Sequence, residues 1–296
     1  TTSSGVDVTG TINGAGILSN AANFGEGLLI SQDAGTGTLS SANRNTGFGY
    51  EVFDDLTSGD DNTAFGQQAL AALTTAGHNT AVGSNALESN TTGAENTAVG
   101  SACLDANTTG TDNTAIGFAS LGNNTTASRN TAVGNVALNE NTTGADNTSV
   151  GKSALEKNTT GTQNTAVGSL ALDANTTASN NTAMGHNALT ANTTGAENTA
   201  VGAEALEANT TGTRNTAVGQ QSLEANTEGT DNSAFGKNAL ASNTTGITNS
   251  AFGRNSLFAN TTADNNTAVG YNSLAANTTG DQNVAVGSLA GDAITT

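Results

Sequence analysis

The sequence lacks proline and tryptophan, has a single cysteine, and only 3% of its residues are aromatic. One cysteine excludes both an intrachain disulfide and a thiolate metal site. Hydrophobic residues make up 34% of 296 positions, which is too little apolar material for the thick core of a globule. Low hydrophobicity is also typical of disordered chains. The distribution of the apolar residues must therefore decide between a thin ordered core and disorder.

Basic residues are also scarce, with 7 Lys and Arg against 25 Asp and Glu, for a net charge of −18. This balance excludes nucleic acid as a partner, because phosphate binding needs basic clusters. No apolar run approaches the roughly 20 residues that span a bilayer, so no membrane insertion is expected. The chain starts without Met or a signal peptide, as expected of a processed product. The acidic, Thr- and Asn-rich composition is typical of exported proteins, and we expect an extracellular location, on a cell surface or a virion.

What the sequence does contain is a 17-residue repeat. A typical copy is NTAVGSNALESNTTGAE at 79–95, and its first Asn recurs from Asn45 to Asn283 without an insertion or deletion. Fourteen full copies cover 45–282 (14 × 17 = 238), and a partial copy follows. A fixed short period is typical of a solenoid, since such a unit buries its apolar side only against its neighbours. The sequence predicts a β-solenoid of fifteen coils over 45–296, preceded by a non-repetitive cap or connector segment, 1–44.

The places of the repeat, numbered one to seventeen from the first Asn, divide by polarity. Place four is always apolar and place nine is nearly always Leu, and no charge occurs at places three, four, five, eight or nine. We predict that places four and nine are buried, and that Cys103, at place eight, is a small buried residue. Places one to four are predicted to form a short parallel strand, followed by a bend at Gly.

Places six to eleven are rich in helix formers, as in AEALEA at 203–208. They favour one helical or 3₁₀ turn, ended by a left-handed Asn at place twelve. A second strand is the alternative.

Place twelve carries information through its exceptions. It is Asn from Asn90 to Asn277, but Leu56, Leu73 and Ile294 near the two ends of the repeat region. A place that accepts Leu and Ile is expected to point inward. Stacked inward Asn side chains can bond one another and nearby turns, and we expect a second such ladder at place one.

Asparagine also supplies candidate sites for N-linked sugar. Three acceptor triplets begin where charges are tolerated and are the first candidates, at Asn180, Asn265 and Asn123. Eleven more begin at place twelve and are the weaker candidates if that place is buried: Asn90, Asn107, Asn124, Asn141, Asn158, Asn175, Asn192, Asn209, Asn243, Asn260 and Asn277.

Candidates for metal binding and catalysis are few. The acidic group Asp54, Asp55, Asp60 and Asp61 is a weak Ca²⁺ candidate, with a solvated acidic cap as the alternative. His78 and His186 lie 108 residues apart, at variable places of their copies. We expect no enzyme activity, no catalytic residue and no cofactor.

The pattern NTAVGxxALxxNTTG over 45–296 resembles the repeats of phage tail-fibre shafts and, more loosely, the head repeats of trimeric autotransporter adhesins. The resemblance rests on the Asn-Thr-Ala-Val-Gly and Ala-Leu groups. It implies a non-enzymatic β-solenoid or β-roll stalk that holds a binding tip away from a cell or virion, and it makes a trimer an expectation.

The expected function is that of a structural protein, the subunit or shaft of an extracellular fibre. The last copy stops within its repeat, so we expect copies to stack head to tail into a filament, with 1–44 capping either its own chain or a neighbour. Attached sugar is a further expectation. The alternatives are a phage tail-fibre or adhesin shaft with a receptor-binding role, and an ice-binding protein, since Thr repeats on a regular surface.

Overall fold

The computed structural model describes residues 10–12, 15–21, 24–31 and 40–296. The chain divides into two compact units, Thr1–Ala145 and Asp146–Thr296, which are described one at a time. The sequence-based boundary between 44 and 45 falls inside the first unit and stays a prediction.

The first unit begins with three strands that precede the repeat: β1 (Gly10–Ile12), β2 (Ala15–Ala21) and β3 (Phe24–Ser31). β1 pairs with β2, and β2 with β3, both antiparallel. β3 then pairs in parallel with β4 (Ala42–Asn43) and with β5 (Thr46–Phe48), the strand of the first coil. β3 thus lies beside the strand of the first coil, and whether 1–44 caps its own chain or a neighbour stays a prediction; the rest of that segment lies outside the described residues.

The repeat forms a parallel β-solenoid with one three-residue strand per 17-residue coil, and the predicted fold class is confirmed. Strands of adjacent coils pair in register, so that Thr80 lies opposite Thr97. In the first unit the remaining strands are β6 (Thr63–Phe65), β7 (Thr80–Val82), β8 (Thr97–Val99), β9 (Thr114–Ile116) and β10 (Thr131–Val133). In the second unit they are β11 (Thr148–Val150), β12 (Thr165–Val167), β13 (Thr182–Met184), β14 (Thr199–Val201), β15 (Thr216–Val218), β16 (Ser233–Phe235), β17 (Ser250–Phe252), β18 (Thr267–Val269) and β19 (Val284–Val286).

The prediction that place four is buried is wrong. Successive side chains of a strand point to opposite faces, and in each unit the middle residue, at place three, points inward. Ala98 is fully buried, whereas Val99 beside it is 37% exposed. Apart from the Asn places, the interior therefore consists mainly of Ala at place three, Ala, Ser or Cys at place eight and Leu at place nine, with Val52 and Phe53 in the first coil. Place four lacks charged residues although it is not buried, and its side chains form an apolar outer surface.

The predicted helical turn at places six to eleven is also wrong, and so is the left-handed Asn at place twelve. The described residues contain no helix. Places seven, nine and seventeen adopt left-handed backbone angles instead, as at Asn85 (φ 60°), Leu87 (φ 52°) and Glu95 (φ 60°). The second-strand alternative fails as well, since these places form turns.

The backbone hydrogen bonds explain why helix propensity does not decide this segment. At places seven, nine and eleven the amide N–H donates to a neighbouring coil: Asn85 to the carbonyl of Gln67, Leu87 to that of Cys103, and Ser89 to that of Asp105. A helical turn would direct these donors within one coil and leave carbonyls of its neighbours unpaired. Bonding between coils therefore outweighs the local preference.

Gly at place five is required by its position. Gly185 has a φ of +143°, and a Cβ there would lie 2.5 Å from the carbonyl oxygen of Gly202 in the next coil. Any side chain would be both strained and blocked by backbone.

Both predicted Asn ladders are confirmed. At place one, the Asn198 amide N–H donates to Oδ1 of Asn181 (2.9 Å), and its Nδ2 donates to the carbonyl of Gly212 (2.8 Å). At place twelve, Asn209 Nδ2 donates to Asn192 Oδ1 (2.9 Å) and to the same Gly212 carbonyl (3.0 Å). In this coil the two ladders meet at one carbonyl, so that the buried amide groups bond one another and the turn.

Cys103 is fully buried, as predicted, with its Sγ 3.0 Å from the Ala115 carbonyl and 3.1 Å from Ser120 Oγ. Burial raises the pKa of its thiol above the ordinary value. This environment keeps the sulfur protonated and unreactive.

Candidate functional site: an apolar stripe on the sheet

The outward side chains of place four form a continuous row on each unit, which we call the apolar stripe. In the first unit it consists of Phe48, Phe65, Val82, Val99, Ile116 and Val133. In the second unit it consists of Val150, Val167, Met184, Val201, Val218, Phe235, Phe252, Val269 and Val286. Because adjacent strands pair in register, neighbouring members lie about 4.8 Å apart.

The exposure of the stripe is too extensive for isolated surface residues. Phe65 is 55% and Met184 45% exposed. If each member exposes on the order of 60 Å², the stripe of either unit reaches a few hundred Å², the range in which apolar patches on soluble proteins mark binding surfaces. The stripe is therefore the strongest candidate functional surface.

Two aromatic pairs lie within the stripe. The rings of Phe48 and Phe65 are stacked with centroids 5.1 Å apart, and those of Phe235 and Phe252 with centroids 4.9 Å apart. Stacked pairs of this kind contribute about 0.5–1.5 kcal/mol beyond their buried area. Each pair presents a wide, rigid apolar surface to solvent.

The surroundings of the stripe are polar. Place two shares its face and is Thr or Ser in every coil but the last, where it is Val284. Place seventeen, exposed at the edge of the face, carries charges such as Asp112, Glu197 and Arg214. An apolar centre with a polar rim is the usual composition of a protein–protein interface.

The structure separates the sugar-acceptor candidates into two groups. Asn180, Asn265 and Asn123 have exposed side chains. The eleven at place twelve are fully buried within their ladder: Asn90, Asn107, Asn124, Asn141, Asn158, Asn175, Asn192, Asn209, Asn243, Asn260 and Asn277. Exposed acceptors therefore remain only among the first three.

The acidic group near the first coil is not brought together as a metal site. Asp61 forms a two-point ion pair with Arg44, with Nε to Oδ1 at 2.6 Å, and this bond holds the pKa of Asp61 below its ordinary value. Asp60 Oδ1 accepts from the backbone N–H of Asn43 (2.7 Å). Among the described residues, Asp54 and Asp55 do not belong to any cluster of three or more side chains close enough to share a metal ion.

The two histidines also lie in ordinary surroundings. His78 Nδ1 is 4.0 Å from Asp61 Oδ2, and His186 is exposed.

Three carboxylates that sequence reasoning did not single out lie together on the second unit. Glu204, Glu207 and Glu224 place one oxygen each within 4.8 Å of one another. Partial burial, followed by the charges of Glu207 and Glu204, raises the pKa of Glu224. The register predicts the pair Glu207 and Glu224, since both occupy place ten of adjacent coils. Such surface clusters are common without an ion, and no fourth His, Cys, Asp or Glu among the described residues joins this one.

Sequence reasoning missed the stripe itself because it took absence of charge as a sign of burial. The signal was present: a three-residue strand with Ala in the middle and Val at the end must direct the two to opposite faces.

Comparisons with known proteins identify no relative: no protein family, no curated protein and no solved structure matches the chain. In the part of the chain that the structure describes, no helix is long and apolar enough to cross a membrane.

Proposed function

We propose that the protein is a non-enzymatic structural protein, the shaft or subunit of an extracellular fibre, whose copies associate side by side through the apolar stripe. The observation that carries this proposal is the continuous row of exposed and half-buried Val, Ile, Met and Phe on the outer face of each unit. Such a row leaves water on association with a second copy of the same surface, which contributes about 25 cal/mol per Å² of apolar area.

Self-association is favoured over a different partner because the stripe is periodic. A second copy presents the same spacing between members, so that many coils can pack at once. Three copies with their stripes around a common axis would bury the row most completely, in keeping with the expected trimer. Head-to-tail stacking stays a prediction from the sequence.

Molar mass in solution tests this proposal. Sedimentation velocity over a wide concentration range is expected to give a multiple of the 28.9 kDa chain mass. The double variant Met184→Lys and Val269→Lys places charges on the stripe and is expected to shift the mass toward 28.9 kDa. Charged groups are costly to bury without partners.

The matched control is Thr194→Lys with Thr211→Lys, two exposed residues at place fourteen, outside the strand face. This variant adds the same charge and is expected to keep the wild-type mass. A wild type that is monomeric at every concentration, or equal dissociation of both double variants, contradicts the proposal.

Ice binding is a second candidate, favoured by one observation. Thr at place two and an apolar residue at place four share one face of a parallel, in-register sheet, as in Thr199 and Val201 beside Thr216 and Val218. The four aromatic rings and Met184 interrupt the flatness that an ice-like array of water needs. We therefore expect no thermal hysteresis from the wild-type protein, and a measured hysteresis would favour ice binding over the fibre.

A further inference from the structure

A pocket of about 240 Å³ opens on the second unit, away from the strand face. Its lining residues come from places six, seven and ten of three consecutive coils: Asn238, Arg254, Asn255, Phe258, Asn272 and Ala275. This volume is below the roughly 300–1,000 Å³ of pockets for drug-sized ligands, so it suits a single ring of a larger molecule.

The wall of the pocket is a row of three amides held by the fold. Asn238, Asn255 and Asn272 occupy place seven of successive coils, with φ angles of 58°, 56° and 52°. Each backbone N–H donates to the carbonyl of the preceding coil, at 3.0 Å in all three cases. Asn238 Nδ2 donates to Asn255 Oδ1 (3.3 Å), and Asn255 Nδ2 donates to Asn272 Oδ1 (3.0 Å). The amides therefore stand in a fixed line, with a free acceptor at one end and free donors at the other.

Arg254 places a cation at the edge of this row. Two other arginines form ion pairs, Arg44 with Asp61 at 2.6 Å and Arg214 with Asp231 at 2.7 Å. Arg254 has no ion pair with any described residue, although the chain carries 25 acidic residues. Lys237 occupies the same place of the preceding coil, also without a described ion pair, so two cations lie side by side. Like charges on adjacent coils repel each other, and an anion bound between them would relieve that repulsion.

In the coils that form the pocket, acidic residues are also absent from the places of the repeat that line it. The three coils from Asn232 to Gln282 have no Asp or Glu at places six to eleven. Their acidic residues, Asp264 and Asp281, occupy place sixteen. Within these three coils an anionic ligand therefore meets cations and amides at places six to eleven and no carboxylate, while the flanking coils carry Glu224 and Asp292 at place ten.

The last component is an exposed aromatic ring. Phe258 is 41% exposed, and its place is filled by Ala241 and Ala275 in the coils on either side, which leaves its ring accessible. A sugar ring combines a face of C–H groups, which packs on an aromatic ring, with an edge of hydroxyls, which pairs with amides. A sugar carboxylate would complete the match by bonding the two parallel N–H groups of Arg254.

We propose that this pocket binds a carboxylated sugar unit of an acidic polysaccharide, with Arg254 on the carboxylate, Phe258 on the ring and the free amide groups of Asn238 and Asn272 on the hydroxyls. The site is separate from the apolar stripe and does not depend on self-association. It would give a fibre a lateral attachment surface for acidic glycans.

Binding of a trimer of galacturonic acid, measured by calorimetry and by side-chain amide shifts in NMR spectra, tests the proposal. The carboxyl-reduced trimer of the same linkage is the neutral probe, and a peptide of three glutamates is the acidic non-sugar probe. We expect the uronate trimer to bind, with shifts at the three Asn amides, and both other probes to bind at least tenfold more weakly.

Arg254→Gln and Phe258→Ala are each expected to weaken binding at least tenfold, with unchanged circular dichroism. The matched controls are Arg214→Gln and Phe118→Ala, which remove an exposed arginine and an exposed aromatic ring elsewhere and are expected to leave binding as it is. No binding by the wild type, equal binding of the neutral or peptide probe, or insensitivity to Arg254→Gln overturns the assignment.

Discussion

At the scale of single residues, the fold is notable for how many side chains sit on left-handed backbone. Place nine is left-handed from Phe53 through thirteen leucines to Gly291, the one copy with glycine there. This conformation costs an L-residue about 1–2 kcal/mol, while full burial of the Leu side chain contributes about 1.5–3 kcal/mol. The strain is therefore tolerated at place nine because burial offsets it.

Place seventeen has the same left-handed backbone, but its side chains are not buried in the core, and this leads to a first prediction. Thr248 is exposed and has a φ of 57°, the least favourable combination for a β-branched residue. Thr248→Gly is expected to raise stability by about 0.5–1 kcal/mol, because glycine takes this conformation freely. Thr248→Asn should lie between the two, as Asn tolerates it better than Thr.

The control is Thr245→Gly in the same coil, an exposed residue without a positive φ. It is expected to lower stability by about 0.4–1 kcal/mol, since glycine only adds freedom to the unfolded chain there. Thermal unfolding of the variants measures the difference. The same sign for both glycine variants contradicts the assignment of strain to place seventeen.

The buried Asn ladder gives a second prediction. Asn175 Nδ2 donates to Asn158 Oδ1 (2.8 Å) and to the Ala178 carbonyl (3.1 Å), and its Oδ1 accepts from Asn192 Nδ2 (3.0 Å). Asn175→Ala removes all three bonds and is expected to cost about 2–3 kcal/mol, because buried partners lose their hydrogen bonds. Thr177→Ala, at an exposed place nearby, should change stability by less than about 0.5 kcal/mol. Similar melting temperatures for the two variants would count against the ladder.

At the scale of the element, the strand is only three residues long, and its alternation decides which side chains face the core and which face solvent. Its middle residue faces a core so thin that only Ala, Ser or Gly occurs there. Its two outer residues face solvent. The core of each coil is therefore closed by a methyl group from the strand and a Leu side chain from the turn.

This division predicts unequal effects on stability when valine is introduced at two adjacent positions. Ala166→Val adds two methyl groups to a fully buried place and is expected to cost about 1–3 kcal/mol. Thr165→Val puts the same side chain on the outer face, where Val284 already occurs, and should change stability by less than about 0.5 kcal/mol. Chemical denaturation compares the two. Equal tolerance of valine at both positions would contradict the inward orientation of place three.

At the scale of the whole molecule, stability depends on contacts between coils. Most turn and strand amides donate to a coil before or after their own, such as Thr199 to the Asn215 carbonyl and Gly202 to that of Met184. A single coil leaves these groups unpaired, so each unit is held together by neighbouring coils rather than by any one of them. The same regularity repeats the outer face in every coil, and this makes the stripe a suitable surface for association between copies.

The sequence by itself determined the period, the solenoid class and the inward Asn, because a repeated pattern of small, apolar and amide residues is stable only when copies stack. It could not decide the backbone of places six to nine, where helix formers such as AEALEA adopt left-handed turns. Those turns exist only because their N–H groups find carbonyls on adjacent coils, which no local preference records. It also led to the wrong prediction that place four faces the interior. Only the tertiary structure placed Ala inside and Val, Met and Phe outside, since a thin core closed by Leu has room for one methyl group per strand. The pocket beside Arg254 arises in the same way, from side chains 17 residues apart that stacking brings together.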